Sequence, residues 1–274
     1  MGRGFESLIA HHETAFDNLP MALSETYLVT DKLTRIQEEE IALLEKHFGL
    51  PVPMGYREYM KSLGAGLYCD LVRIYRPLRI LTEYQEAQKR WRENFLWNAG
   101  ARVLSREQVF RSVIFGDTVD GDQIIVAPHE PLKLFVLSRH DDTIWEMGAA
   151  FTDPMFWRGS SFAPQWSPFR YFESSIDRAW VELFTQERRF KTDDIANQFI
   201  YYWQHSELCQ LKEEGCRLIF LKTIGGRIQI TQSSWDGRVR IVIRFDKDAR
   251  SEVESFLPGL RTLGFAVTGM SIRD

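Results

Sequence analysis

Between residues 34 and 147 the hydrophobic pattern changes period several times, and each change marks an element. Ile41, Leu44 and Phe48 recur at helical spacing, with Gly49 as the natural stop. Thr34 and Gln37 have the spacing of a capping box, which starts this helix at Thr34. Leu50-Pro51-Val52-Pro53 predicts an extended connector, because each proline turns its predecessor away from helical backbone. A second helix is expected through Tyr56, Tyr59, Met60 and Leu63, ending at Gly64-Ala65-Gly66. The stretch from Leu71 to Tyr75 alternates and reads as a strand ahead of Pro77. Residues 79–98 carry Leu81, Tyr84, Trp91 and Phe95 on a long helix, with Gln85, Lys89 and Arg92 facing outward.

Short strands follow at Val113-Ile114-Phe115, from Gln123 to Ala127, from Lys133 to Ser138 and from Thr143 to Met147. Pro128-His129-Glu130-Pro131 and Arg139-His140-Asp141-Asp142 supply turns between them, so the pattern is that of an antiparallel meander. Ile176, Trp180, Leu183 and Phe184 fit one helical face and predict a helix from about Ser174 to Arg189. Beyond residue 190 the pattern predicts a helix over 193–211 and strands over 216–222, 227–231 and 238–245. A helix over 247–263 and a last strand at Phe265-Ala266-Val267 complete it, with Gly225-Gly226 and Asp236-Gly237 as hairpin turns. The expected organisation is an N-terminal extension (1–33), a main α+β domain (34–190) and a small α+β C-terminal domain or lobe (191–274).

Composition narrows the function. A hydrophobic fraction of 44% and an aromatic fraction of 13% belong to a folded globular protein. The formal charge of −4 argues against a general nucleic-acid binder, which needs a basic stripe to displace counterions, and fits a basic protein partner. Most of the negative excess lies ahead of residue 191. Cys69, Cys209 and Cys216 form no C-x-x-C pair, which favours reduced thiols in a cytoplasmic setting and gives no zinc site. No run of about 18 apolar residues predicts a membrane span. The first residues lack the apolar core of a secretory signal.

The segment from Phe115 to Val126 carries the most chemistry. It holds Asp117, Asp120 and Asp122 beside Gly116 and Gly121, between two apolar runs. Alternating carboxylates on a turn suit an oxygen-ligand cation, and a metal-dependent hydrolase is one reading of them. This segment lacks the late glutamate and the alternating register of a calcium loop, and Asp120-Gly121 is a natural two-residue turn whose flanking acids cap backbone N–H groups. Turn chemistry is the simpler account, so no metal or cofactor is expected. The six histidines form no H-E-x-x-H, and His11-His12 lacks a third ligand. No nucleophile elbow, phosphate loop or dinucleotide glycine pattern is present. The aromatic stretch Phe156 to Phe172, broken by Pro154, Pro164 and Pro168, reads as a loop pinned over the core by its rings or as a recognition surface.

Set in order, these pieces resemble the SUKH superfamily, which includes fungal cell-wall-synthesis regulators and many bacterial immunity proteins. The resemblance rests on Leu50-Pro51-x-Pro53, Tyr56-Arg57-x-Tyr59-Met60-x-x-x-Gly64-x-Gly66, the strand from Leu71 to Tyr75, and Phe115-Gly116-Asp117-x-x-x-Gly121-Asp122. Leu134-Phe135-Val136-Leu137 and Ile144-Trp145-Glu146-Met147-Gly148 complete it. It covers residues 34–190. Ala65 stands where members often have a further glycine. The resemblance implies a curved, mostly antiparallel sheet with flanking helices. It implies a non-enzymatic binder that neutralises a toxin, often a nuclease or deaminase, by stoichiometric binding. A regulatory or scaffold protein without a toxin partner is the alternative. On the binding reading, Tyr68, Asp117, Asp120, Asp122, Trp145 and Glu146 are the expected interface residues, and no direct nucleic-acid or membrane contact is expected.

Overall fold

The meander expected over residues 113–147 forms the last four strands of an eight-stranded sheet. The computed structural model describes residues 23, 26–148, 170–185, 191–203, 208–213, 215–233 and 237–271. Among these the chain is α+β, with six α-helices and two sheets. It divides into two compact units, one of residues 1–27 and 33–172, the other of residues 28–32 and 173–274. The division falls between Phe172 and Glu173 rather than at the expected 190/191. His11-His12, the aromatic stretch from Phe156 to Phe169 and Asp236 lie outside the described residues.

The eight-stranded sheet has the order β1-β8-β2-β3-β4-β5-β6-β7, and its strands from β2 to β7 lie in the first unit. Here β1 is Tyr27–Leu28, β2 Gly66–Tyr68, β3 Val72–Ile74, β4 Val113–Thr118, β5 Gln123–Val126, β6 Leu134–Leu137, β7 Ile144–Gly148 and β8 Tyr171–Ser174. Strands β2 to β7 pair antiparallel in sequence order. Three helices precede the meander: α1 (Glu38–Phe48), α2 (Tyr56–Ser62) and α3 (Pro77–Glu93), followed by a short α4 (Arg106–Arg111). Their inward residues Ile41, Leu44, Tyr56, Tyr59, Met60, Ile80, Ala87 and Trp91 are buried, as period 3.6 requires.

The start of α1 differs from the expectation. Its N-cap is Gln37, which makes no side-chain cap bond, and Glu38, Glu39 and Glu40 fill the first turn, where the helix dipole favours acids. Thr34 is committed elsewhere. Ile36 N donates to Met60 O at 3.1 Å, so this segment runs beside the end of α2. Gly64 (φ +77) permits the approach, since a Cβ there would lie 2.0 Å from the Thr34 carbonyl oxygen. The capping box is at Ser105 and Gln108, at the head of α4.

In the second unit the expected helix over 174–189 is a strand. Asp177, at φ 50, turns the chain from β8 into β9 (Arg178–Thr185). Ala179, Val181, Leu183 and Thr185 are buried while their neighbours are more exposed, a period of two. The expected helix over 193–211 ends early: α5 is Thr192–Tyr202, and β10 (Leu208–Glu213) follows. The sheet order is β10-β11-β12-β13-β9-β14, with β11 Cys216–Leu221, β12 Gly226–Gln232, β13 Val239–Asp246 and β14 Phe265–Ser271. Helices α5 and α6 (Arg250–Thr262) bury Ile195, Phe199, Val253, Phe256, Leu257 and Leu260 against one sheet face.

Candidate functional site

Strand β4 continues through Gly116, Asp117 and Thr118, so the first aspartate of the acidic segment is a strand residue. Only residues 118–121 form a turn. Gly121 N donates to Thr118 O at 3.0 Å, and Thr118 N donates to Asp122 O at 2.9 Å. Gly121 sits at φ +93, which L-side chains rarely adopt.

The three aspartates then go separate ways. Asp117 faces Arg73 across the β3–β4 ladder. It accepts from Arg73 Nε at 2.7 Å, from Arg73 Nη2 at 2.9 Å and from the Tyr75 hydroxyl at 2.9 Å. The Arg79 guanidinium lies 3.6 Å from the Tyr75 ring centroid. Burial first, and then the Asp117 carboxylate, hold the Tyr75 phenol well above its ordinary pKa. Asp122 is only 2% exposed. It accepts from Thr118 Oγ1 at 2.8 Å and from Arg139 N at 2.8 Å, tying this turn to the next one. Asp120 is exposed, and its backbone carbonyl accepts from Arg139 Nη1 at 3.4 Å. Among the described residues no three His, Cys, Asp or Glu side chains converge as a cation site requires.

The expected interface residues therefore separate. Tyr68 is fully buried, its ring 6.3 Å from that of Tyr59, and it offers no surface to a partner. Asp122 is likewise interior, because the turn needs its carboxylate as an acceptor for two donors. Asp117 is half-buried and ion-paired. Trp145 is half-buried on β7, the last strand in the sheet order, and its Nε1 has no hydrogen-bond partner among the described residues. Glu146 is exposed and pairs with Lys133 Nζ at 3.0 Å. Asp120 and Glu146 alone of the six are surface residues, and Val119 stands beside Asp120 at 48% exposure.

The turn borders a depression that the sequence did not single out. Arg90, Trp91, Asn94, Trp97, Gln123 and Arg139 contribute to its lining, and its volume is about 190 Å³. The Trp91 indole N–H donates to Gln123 Oε1 at 2.6 Å, and that of Trp97 to the Ser138 carbonyl at 2.5 Å. Both rings are thereby fixed in place. Arg90 and Asn94 stand four apart on α3 and its C-cap, one helical turn on the same side, which was the available sequence signal.

The second unit has two features of its own. A groove of about 670 Å³ runs along α5 and α6, with Tyr201 and Tyr202 exposed on it. Buried Glu173 accepts from Arg227 Nε at 2.7 Å and from Arg178 Nη2 at 2.8 Å, and Arg178 also reaches Asp246 and the Gly225 carbonyl. Burial alone would raise the Glu173 carboxyl, but Arg227, Arg178 and Arg244 outweigh it and hold its pKa below the ordinary range.

Comparison of the chain with protein-family models, with curated proteins and with solved structures finds no match. Among the described residues no helix is long and apolar enough to cross a membrane.

Proposed function

We propose that this protein is a non-enzymatic protein-binding module, acting as an immunity protein that neutralises a polymorphic toxin by stoichiometric binding in the cytoplasm. The observation that carries this reading is the division of the acidic segment among separate structural partners. Asp117 ties β4 to β3 and Asp122 holds the turn, so both carboxylates are engaged in structural bonds rather than sharing a cation. The turn instead presents exposed Val119 and Asp120 beside a depression floored by Trp91 and Trp97 and bordered by Arg90, Asn94 and Arg139. The resemblance to the SUKH superfamily supports the same reading, since its motifs fall on α2 and on the strands from β2 to β7. The net charge of −4 would speed encounter with a basic nuclease or deaminase domain.

Co-expression with the product of a neighbouring toxin-like gene tests the proposal. The expected result is a one-to-one complex that survives gel filtration and abolishes the toxin's activity. Absence of a complex with any neighbour would overturn it. A regulator or scaffold without a toxin partner is the second reading. It is favoured by the second unit, which has its own core and an exposed tyrosine groove outside the stretch that carries most of the resembling motifs.

A further inference from the structure

We infer that the depression beside the turn is a carboxylate-binding pocket whose occupant is a single aspartate or glutamate side chain of the partner; this rests on the reading of the protein as a binding module. The charge balance is the first argument. Arg90 and Arg139 both line the depression, no carboxylate side chain lines it, and neither arginine has a carboxylate partner among the described residues. Some arginines of this unit are ion-paired, Arg73 with Asp117 and Arg57 with Glu38 and Glu45, while Arg35 and Arg92 donate to backbone carbonyls. What sets Arg90 and Arg139 apart is that both line one concavity whose described lining holds no carboxylate.

The floor is the second argument. The indole N–H groups of Trp91 and Trp97 are already donated to Gln123 and Ser138, and the side chains are 1% and 5% exposed, so they form a packed floor that supplies no donors. Polar recognition falls to the guanidiniums and to the exposed Asn94. A hydrogen bond between guanidinium and carboxylate is charge-assisted on both sides and can be bidentate. Arg139 is also held in place. Its own N–H donates to Asp122, its Nη1 to the Asp120 carbonyl, and its side chain crosses Gly121, where a Cβ would lie 2.6 Å from Cδ. A pre-positioned fork loses less freedom on binding.

Size decides the class of occupant. Pockets for cofactors and drug-sized molecules hold roughly 300–1,000 Å³. At about 190 Å³ the depression suits one side chain. A partner of overall basic charge is compatible with this anchor, because long-range attraction and a local pairing act at different distances.

The test uses the full-length ¹⁵N-labelled chain and the indole N–H resonances of Trp91 and Trp97. The probes are N-acetyl-glutamate N-methylamide, its neutral glutamine counterpart, and inorganic phosphate. Saturable shifts of both indoles at millimolar acid, absent with the glutamine analogue, are expected. The double variant Arg90→Gln/Arg139→Gln is expected to bind about tenfold or more weakly, with its thermal midpoint unchanged because both side chains are exposed. Arg139→Lys, which keeps the charge and loses the fork, is expected to fall between. Equal response to the glutamine analogue, tighter binding of phosphate, or a double variant that titrates like the parent overturns the pocket. A complex with the toxin that the double variant leaves intact overturns the carboxylate anchor and spares the binding module. Saturable acid binding without any protein complex does the reverse.

Discussion

Asp122 shows how one carboxylate serves a fold instead of a reaction. Its two acceptor oxygens join the turn at 118–121 to the turn at 138–139. Replacing it by alanine leaves the buried Thr118 hydroxyl and the Arg139 N–H without that acceptor, so Asp122→Ala should cost about 2–3 kcal/mol, measured by urea unfolding. Asp120→Ala, on an exposed carboxylate, should stay within about 0.5 kcal/mol. A reversed order would place the structural acid at the turn's tip. At this scale the sequence identified the segment and its turn chemistry, with Gly121 at positive φ, but not which aspartate points inward. That choice depends on Arg139, seventeen residues further along, and no local pattern records it. The depression escaped for the same reason, since its arginines come from a helix and a hairpin turn that only the tertiary fold brings together.

Elements with one clear period were legible, and those with two were not. The strands from β4 to β7 are short apolar runs bounded by turn residues, and they pair as expected. Residues 174–189 satisfy both templates. Ile176, Trp180, Leu183 and Phe184 make a helical stripe, while Ala179, Val181 and Leu183 make a strand face. Pairing with both β13 and β14 selects the strand. Because β9 is flanked on both sides, Val181→Pro should prevent the second unit from folding, seen as loss of its share of the circular dichroism signal; a small effect would point back to helix. The helix caps give a paired comparison. Ser105→Ala removes a working cap and should cost about 1 kcal/mol, whereas Thr34→Ala should cost less than about 0.5 kcal/mol, both read from denaturant midpoints.

Across the molecule, pH sensitivity is divided between the two units. In the second unit Glu173 has a folded pKa below its unfolded value. The unfolded chain therefore takes up the proton first as pH falls, and the stability present above the ordinary glutamate range is lost as pH falls through the folded value. Glu173→Gln should flatten this acid limb and, by leaving buried Arg227 without its counter-charge, cost about 3–5 kcal/mol at neutral pH in equilibrium unfolding. In the first unit Tyr56 and Tyr59, through burial, have phenols raised well above their ordinary value, and Tyr75 shares the direction. Their folded pKa values exceed the unfolded ones, so that stability is complete below about pH 10 and is lost as pH rises toward the folded values.

Residues 28–32 belong with the second unit although they lie near the start of the chain. The Thr30 hydroxyl donates to Asp246 at 2.9 Å, a residue 216 positions later, and Lys222 Nζ donates to the Leu28 carbonyl at 2.8 Å. During synthesis at roughly 5–20 residues per second, Thr30 waits on the order of 10–40 s for its partner to be made. The early segment thus gains its acceptor only after most of the chain has been made, and a product truncated ahead of Asp246 lacks it.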